Sequence, residues 1–306
     1  YIQVVLAKEL IGVEEKNLEA QRLQLNLVED FYNAGKRPVT DLYQQNAEIS
    51  RYEYQLLESK RDYQVGKLLL LQTLGLEPGT GYRVADLDID TLLKEIKIPA
   101  QEAPGKLDLG KRPDLEAQHL LVKASEKEVK AAQSGYWPKL SFFINLGTNY
   151  SSLDEYANLT RQLFDYNLNT AVGLSLSIPI FDKGTTKNNV AAAKINVRNR
   201  QLELEKQQNQ AVVEVRQAEE DCRTAAQQVA EAESQLTYAQ AALESIEARY
   251  KVQAATMVEL TQARAQYLQA AYDRVKSKYN LLIQAIATAF YRGDLEEVTT
   301  LVRSRS

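Results

Sequence analysis

Apolar residues recur with alternating spacings of four and three positions along the first part of the chain. This spacing is typical of a helix that buries one face against another helix in a coiled coil. A second run with the same spacing lies 218 residues further along, between Cys222 and Tyr250. The paired positions are Val4 and Cys222, Ala7 and Ala225, Ile11 and Val229, Glu14 and Ala232, Leu18 and Leu236, Gln21 and Ala239, Leu25 and Leu243, Val28 and Ile246, and Tyr32 and Tyr250. The sequence therefore predicts two copies of one long-helix unit.

Each long helix is predicted to turn and to return as an antiparallel hairpin. The first break contains Gly35, which accepts a positive φ, and Pro38, which a helix interior excludes. Thr40 or Asp41 is a candidate cap for the return helix. The second break has neither Gly nor Pro, so its turn is predicted mainly from the repeat. We expect return helices at about 40–75 and 257–291.

Between the hairpins the period of the pattern changes from that of a helix to that of a strand. A helix is predicted to open at Arg112-Pro113-Asp114, because Pro fits the first turn and Asp suits the positive end of the helix dipole. Two alternating runs follow. Their apolar positions are Leu140, Phe142, Ile144 and Leu146, then Val172, Leu174, Leu176 and Ile178. Small or polar residues fill most of the alternate positions.

These two predicted strands suit more than one environment. Aromatic residues flank them, as an interfacial girdle would, at Tyr136, Trp137, Tyr150, Tyr156, Phe164 and Tyr166. The pattern fits a membrane-spanning hairpin, and it also fits an amphipathic hairpin packed on a soluble core. Because a lone two-stranded hairpin is marginally stable in water, we favour strands that complete a sheet with other copies of the chain.

Composition and charge exclude several classes of function. A single His (His119) and a single Cys (Cys222) leave no zinc cluster and no disulfide within the chain. A net charge of -4 argues against nucleic acid as the main partner. No run of apolar residues is long enough for a transmembrane helix. No nucleophile–base pair or catalytic carboxylate pair can be singled out, so we expect no enzymatic activity, no cofactor and no metal.

Motifs at the ends of these elements resemble the TolC family of outer-membrane efflux and secretion channels. They are Arg112-Pro113-Asp114-Leu115 at a helix start, Tyr136-Trp137-Pro138-Lys139-Leu140 before a strand, Leu176-Ser177-Ile178-Pro179-Ile180-Phe181-Asp182-Lys183-Gly184 after one, and the turns around Tyr32–Leu42 and Tyr250–Leu260. The similarity covers nearly the whole chain. It implies a mainly α fold, in which long antiparallel coiled-coil hairpins form an α-barrel. A membrane β-hairpin would contribute to a trimeric β-barrel.

The resemblance also implies a function and a set of partners. The family provides passive exit ducts for tripartite efflux pumps and type I secretion systems in the bacterial outer membrane, with the helices in the periplasm. The implied partners are a homotrimer, a periplasmic adaptor (membrane fusion) protein, an inner-membrane pump and outer-membrane lipid. By position, the entrance constriction falls on Thr40, Asp41, Tyr250 and Glu259. The adaptor-contact tips fall on Gly35, Lys36, Arg37, Gln253, Ala254, Ala255 and Thr256.

The same resemblance divides the chain and points to residues before its start. The implied segments are a first periplasmic hairpin (1–75), an equatorial connection (76–111), an upper helix (112–135), an outer-membrane β-hairpin (136–184), a second periplasmic hairpin (185–291) and a C-terminal tail (292–306). A full member of the family has two strand-hairpin units. The repeat therefore predicts a signal peptide and about a hundred further residues ahead of Tyr1.

The second tip departs from the family pattern, and two other classes of protein stay open. Gln253 stands where the family has a glycine, Ala255 where a basic residue is frequent, and Gln262 where an acidic residue is found. These departures predict an entrance held less by charge pairs. One alternative is a soluble or periplasmic coiled-coil adaptor without a membrane barrel. The other is an enzyme or ligand-binding helical bundle, which would lack the usual catalytic constellations.

Overall fold

Long helices joined in pairs build the first of two units of the chain, formed by Tyr1–Arg112 and Ala211–Ser306. The second unit is Pro113–Gln210. The structure is a computed structural model that describes residues 1–77, 79, 81–96, 98–99, 109–153, 158–294 and 296. Tyr156 of the predicted girdle, residues 100–108 of the predicted connection and residues 297–306 of the predicted tail lie outside the described residues.

Two helical hairpins form the frame of the first unit. Helix α1 (Ile2–Asn33) turns into α2 (Val39–Thr73), and α6 (Thr185–Lys251) turns into α7 (Met257–Arg292). The two return helices begin and end within two residues of their predicted bounds. The ends of α1 and α6, and the starts of α2 and α7, are each 218 residues apart. The repeat is thus preserved in the backbone.

The predicted seams, which are the paired positions with 4-3 spacing on the two outgoing helices, contribute part of the core of this unit. Along α6, Cys222, Ala225, Ala232 and Tyr250 are buried, and burial raises the pKa of the Cys222 thiol. Along α1, the buried seam residues are Val4, Leu18, Gln21 and Val28, and the rest of that seam is half-buried up to Tyr32. Tyr32 is the exception, since 41% of it is exposed. At the other end from the turns, a short helix α3 (Ile89–Glu95) packs Ile89 and Leu92 against α1 and α7.

The second unit contains a helix, a β-hairpin and the first part of α6. Helix α4 (Pro113–Gln133) begins at the predicted proline and buries Leu115, Gln118, Val122 and Ser125. Strands β1 (Lys139–Gly147) and β2 (Asn169–Ser177) pair antiparallel. The connection between them includes a short helical segment, α5 (Leu159–Arg161), that one wider turn extends to Tyr166. None of the described helices is long and apolar enough to span a membrane.

The register of the hairpin places the predicted apolar residues on one face. Leu140 lies opposite Leu176, Phe142 opposite Leu174, and Ile144 opposite Val172. Ile178 follows the last residue of β2. On the other face, the ring of Phe143 lies against Gly173, where an added Cβ would stand 2.5 Å from Cζ of the ring. After β2, the Asp182 carboxylate accepts the backbone N–H groups of Gly184 and Thr186 at 3.0 and 2.7 Å, where α6 begins.

Candidate functional site

The turns of the two helical hairpins lie side by side and form a tip. In the first turn, the N–H of Lys36 donates to the carbonyl of Phe31 at 2.8 Å, and the N–H of Gly35 donates to Tyr32 at 2.9 Å. In the second, the N–H of Ala254 donates to Arg249 at 2.8 Å, and that of Gln253 to Tyr250 at 3.0 Å. These paired bonds are the Schellman motif that closes a helix C-terminus. The turn that sequence predicted from the repeat is therefore present.

A residue in the left-handed region sits at the same place in both turns. Gly35 has φ +70° and Gln253 has φ +65°. Glycine adopts this conformation without a steric penalty, whereas any residue with a Cβ is strained there by about 1–2 kcal/mol. The second turn holds the repeat geometry despite the loss of its glycine.

The return helices begin with different caps. Helix α2 begins after Pro38, which makes no side-chain cap, and Asp41 lies in its first turn. The expectation that Thr40 or Asp41 caps α2 is therefore wrong, because the helix starts one residue before Thr40. Helix α7 is capped by Thr256, whose hydroxyl accepts the N–H of Glu259 at 3.2 Å, while the Glu259 carboxylate accepts the N–H of Thr256 at 2.7 Å. Sequence analysis missed this capping box, although the spacing Thr-x-x-Glu is its known signal.

A hydrogen bond between the hairpins joins two of the predicted constriction residues. The hydroxyl of Tyr250 donates to Oδ2 of Asp41 at 3.2 Å, and both residues are buried. Burial, and then the neighbouring Asp41 carboxylate, raise the pKa of the Tyr250 phenol to about 12. The phenol therefore stays protonated and able to donate at neutral pH. Val28, Ala255, Met257 and Leu260 form an apolar cluster with Tyr250 around this bond.

Arg37 connects the same two hairpins beside this bond. Its Nη2 atom donates to the carbonyl of Ala255 at 2.8 Å and lies 3.2 Å from the carbonyl of Tyr250. The guanidinium carbon stands 4.3 Å above the centre of the Tyr250 ring, and Nη1 is 3.9 Å from Oδ2 of Asp41. Only 13% of the Arg37 side chain is exposed. The expectation of fewer charge contacts at the tip overlooked this residue.

The other predicted constriction residues lie apart from this bond. Glu259 is exposed, caps α7 and lies 3.9 Å from Nη2 of Arg249. The backbone N–H of Thr256, followed by its hydroxyl, lowers the pKa of Glu259. Thr40 is also exposed. The structure thus brings Asp41 and Tyr250 together and leaves Thr40 and Glu259 on the surface.

The predicted adaptor-contact residues also divide into exposed and covered ones. The exposed ones are Gly35, Lys36, Gln253, Ala254 and Thr256. The amide of Gln253 donates across the tip to the carbonyl of Lys36 at 3.4 Å. Arg37 is largely covered and Ala255 is buried, so these two residues face the space between the hairpins instead of the outer surface of the tip.

A buried polar cluster lies behind the tip, and sequence analysis did not find it. Arg264 of α7 donates to the side chains of Glu247 at 2.7 Å, Gln24 at 3.0 Å and Gln21 at 3.2 Å. The amide of Gln45, one turn beyond Asp41, donates to the Gln21 side chain at 2.9 Å. The cluster ties all four long helices together. Gln21, a polar residue on a predicted seam, is its only signal in the sequence.

The β-hairpin presents a second candidate surface. Every residue of its predicted apolar face is 60% or more exposed in this chain: Leu140, Phe142, Ile144, Leu146, Val172, Leu174, Leu176 and Ile178. Trp137, at the start of β1, is 73% exposed. Exposed apolar surface of this extent marks a site of contact with protein or membrane. In the described part of the chain, no group of three or more His, Cys, Asp or Glu is placed to hold a metal ion.

Comparisons with known proteins agree with this architecture. The pyoverdine export outer membrane protein OpmQ of Pseudomonas aeruginosa is 29% identical over 188 residues, which are 60% of this chain and 36% of that protein. The outer membrane protein TolC of Escherichia coli K12 is 22% identical over 303 residues, which are 97% of this chain and 60% of TolC. The chain therefore spans between about a third and two thirds of the length of these relatives.

Solved structures share the fold. The outer membrane protein VceC of Vibrio cholerae superposes with a TM-score of 0.74 at 18% identity, over 96% of this chain and 67% of VceC. The family described as outer membrane efflux protein matches residues 106–293, more than half of the chain. This region includes the β-hairpin and the whole second helical hairpin. The chain belongs to the outer membrane efflux protein family.

Proposed function

We propose that this chain forms part of a passive, trimeric exit duct in the bacterial outer membrane. Its helical hairpins would extend into the periplasm, and its β-hairpin would complete a β-barrel with other strands. A periplasmic adaptor would dock on the tips and an inner-membrane pump would supply the driving energy, in a tripartite efflux pump or a type I secretion system. The observation that carries the proposal is the open apolar face of the β-hairpin in a chain of this family.

The hairpin supports a membrane position because no described residue of the second unit covers its apolar face. Burying an apolar side chain stabilises it by about 1.5–3 kcal/mol, so eight exposed apolar residues on one face are costly in water. Alternation of apolar and small residues is typical of strands in membrane barrels. The exposed Trp137 lies where an interfacial anchor is expected.

The tip supports an entrance that can close. A duct whose helices meet at one end opens only if its hairpins separate there. The bond between Tyr250 and Asp41 crosses from one hairpin to the other and is shielded from water. Buried hydrogen bonds to charged groups stabilise by about 1.5–3 kcal/mol, enough to bias the hairpins toward the closed arrangement.

Planar-bilayer conductance of the native protein that contains this chain tests the duct and its entrance together. Tyr250→Phe should raise the conductance, because it removes the hydroxyl and keeps the ring. Tyr32→Phe, at the repeat-equivalent but exposed position, is the matched control and should leave the conductance unchanged. Equal conductance in wild type and Tyr250→Phe would reject the entrance bond as a closing contact.

Ion selectivity tests the predicted acidic entrance. Acidic side chains at a constriction focus negative potential and favour cations. The double variant Asp41→Asn, Glu259→Gln should therefore shift selectivity away from cations. The single variants show whether the buried or the exposed carboxylate dominates. Unchanged selectivity in the double variant would discard both assignments.

Fluorescence quenching by brominated lipids tests the membrane position of the hairpin. The signal of Trp137 is obtained as the difference between the native protein and its Trp137→Phe variant. Quenching by bromines near the lipid headgroups is the expected result. A Trp137 signal that no brominated lipid changes, in a protein soluble without detergent, would favour the coiled-coil adaptor instead.

A further inference from the structure

We infer that Arg37 is a positioning residue for the closed entrance, a cation on the first hairpin that holds the second. This inference rests on the proposed duct, because it assigns a role to a residue beside the proposed entrance bond. It begins from the placement of a charged side chain of the tip. Arg37 belongs to the turn between α1 and α2, yet two of its close contacts are carbonyls of the turn between α6 and α7.

One of those carbonyls lies in the last turn of a helix, and the other lies in the turn that follows it. The last carbonyls of a helix lack intrahelical partners, and the C-terminal end of the helix dipole is negative. Helix α6 ends at Lys251, and the guanidinium of Arg37 lies 3.2 Å from the carbonyl of Tyr250 in its last turn. The guanidinium also donates to the carbonyl of Ala255, in the turn between α6 and α7. The first hairpin therefore caps the second one electrostatically.

The same guanidinium fixes both partners of the entrance bond. It stacks on the Tyr250 ring at 4.3 Å and lies 3.9 Å from the Asp41 carboxylate. A planar guanidinium can stack and donate in several directions at once, which an ammonium cannot. Separation of the hairpins would break the contacts of Arg37 with Tyr250 and Ala255 together with the Tyr250–Asp41 bond. Arg37 therefore favours the closed arrangement through the position of Tyr250.

The repeat adds an independent argument. A shift of 218 residues places Ala255 at the position equivalent to Arg37, and these two residues touch across the tip. The tip thus has one inward guanidinium, and it is supplied by the first hairpin. An arginine moved from position 37 to position 255 would enter the same space from the opposite side.

Conductance of the native protein in planar bilayers tests this role. Arg37→Ala should shift the closed-to-open equilibrium by roughly tenfold or more, the scale of a lost charge-assisted network. Arg61→Ala removes an exposed arginine of α2 outside the tip and should leave the conductance unchanged. Arg37→Lys should restore closure only in part, and the swap Arg37→Ala with Ala255→Arg should restore most of it. Wild-type conductance in Arg37→Ala, in a protein that Tyr250→Phe opens, would overturn the inference.

Hydrogen exchange at residues 250–256 separates failure of the inference from failure of the duct. Arg37→Ala should accelerate exchange there by about tenfold or more, with no change in Arg61→Ala. If exchange accelerates while neither wild type nor Tyr250→Phe conducts, the contact stands and the duct fails. If exchange is unchanged, Arg37 does not hold the second hairpin, whatever the conductance.

Discussion

The two turns of the tip have the same backbone geometry, but their equivalent side chains lie in different environments. Gly35 and Gln253 adopt the same left-handed conformation, and the two sets of turn hydrogen bonds coincide. Yet Tyr32 is 41% exposed, whereas its equivalent Tyr250 is completely buried. Asp41 is also buried, whereas its equivalent Glu259 is exposed. Backbone hydrogen bonds set the turn, and the packing of one hairpin on the other decides what each side chain does.

Substitution of the two equivalent tyrosines should give the largest difference in the free energy of unfolding. Tyr250→Ala should lower the free energy of unfolding by about 3–5 kcal/mol, because it leaves a cavity and an unpaired Asp41. Tyr32→Ala should change it by no more than about 0.5 kcal/mol, as is usual for surface positions. Denaturant midpoints of the two variants measure the contrast. A comparable loss in both would mean that another surface covers Tyr32 in the assembled protein.

The two left-handed positions should respond in opposite directions. Gln253→Gly should stabilise by about 1 kcal/mol, because glycine relieves the strain of a positive φ. Gly35→Gln should destabilise by a similar amount, since no atom within 4 Å would oppose an added Cβ and only the backbone strain remains. Thermal unfolding of the paired variants checks the sign. A loss of stability in Gln253→Gly would indicate that the amide contact with Lys36 outweighs the strain.

The caps of the return helices should give a smaller difference in stability between the two turns. Thr256→Ala should cost about 1 kcal/mol, because it removes the side-chain cap of α7. Thr40→Ala is the control, since Thr40 is exposed and makes no cap of α2. The variants are compared by chemical unfolding. Equal effects would mean that the capping box adds nothing to the stability of the second tip.

The smallest expected effect is on the pH dependence of stability. The pKa of Glu259 is lowered in the folded chain, chiefly by the Thr256 N–H. Folding therefore favours the carboxylate, so Glu259 stabilises the folded chain above the unfolded pKa of about 4.5. This contribution is lost as the pH falls through the lower pKa of Glu259 in the folded chain. Glu259→Gln should flatten the stability curve at and below about pH 4.5. An unaltered slope would contradict the role of Glu259 as a cap.

Much of the fold could be predicted because its signals are local or periodic. Pro113 marked the start of α4, the alternation gave both strand faces, and the 4-3 spacing gave the seams. The exposure of Tyr32 could not be predicted from that spacing. A seam residue at the end of a helix is buried only if the neighbouring hairpin reaches it.

The candidate site was less predictable because its contacts join distant residues. The family resemblance placed Arg37 among the adaptor-contact residues of the tip. Two of its partners are backbone carbonyls that lie 213 and 218 residues away in the chain, and backbone carbonyls have no sequence signature. The Thr256–Glu259 cap was readable, because both partners lie within one helical turn.

The contact of Phe143 with Gly173 has a consequence for the bore of the proposed duct. The ring can lie against β2 at this point only because position 173 carries no side chain. If the open apolar face meets lipid, this ring belongs to the opposite, inner face of the barrel wall. A single methyl group at position 173 would lift the ring and narrow the clearance for whatever passes. The smallest residue of β2 would thus act on cargo size through a phenylalanine of β1.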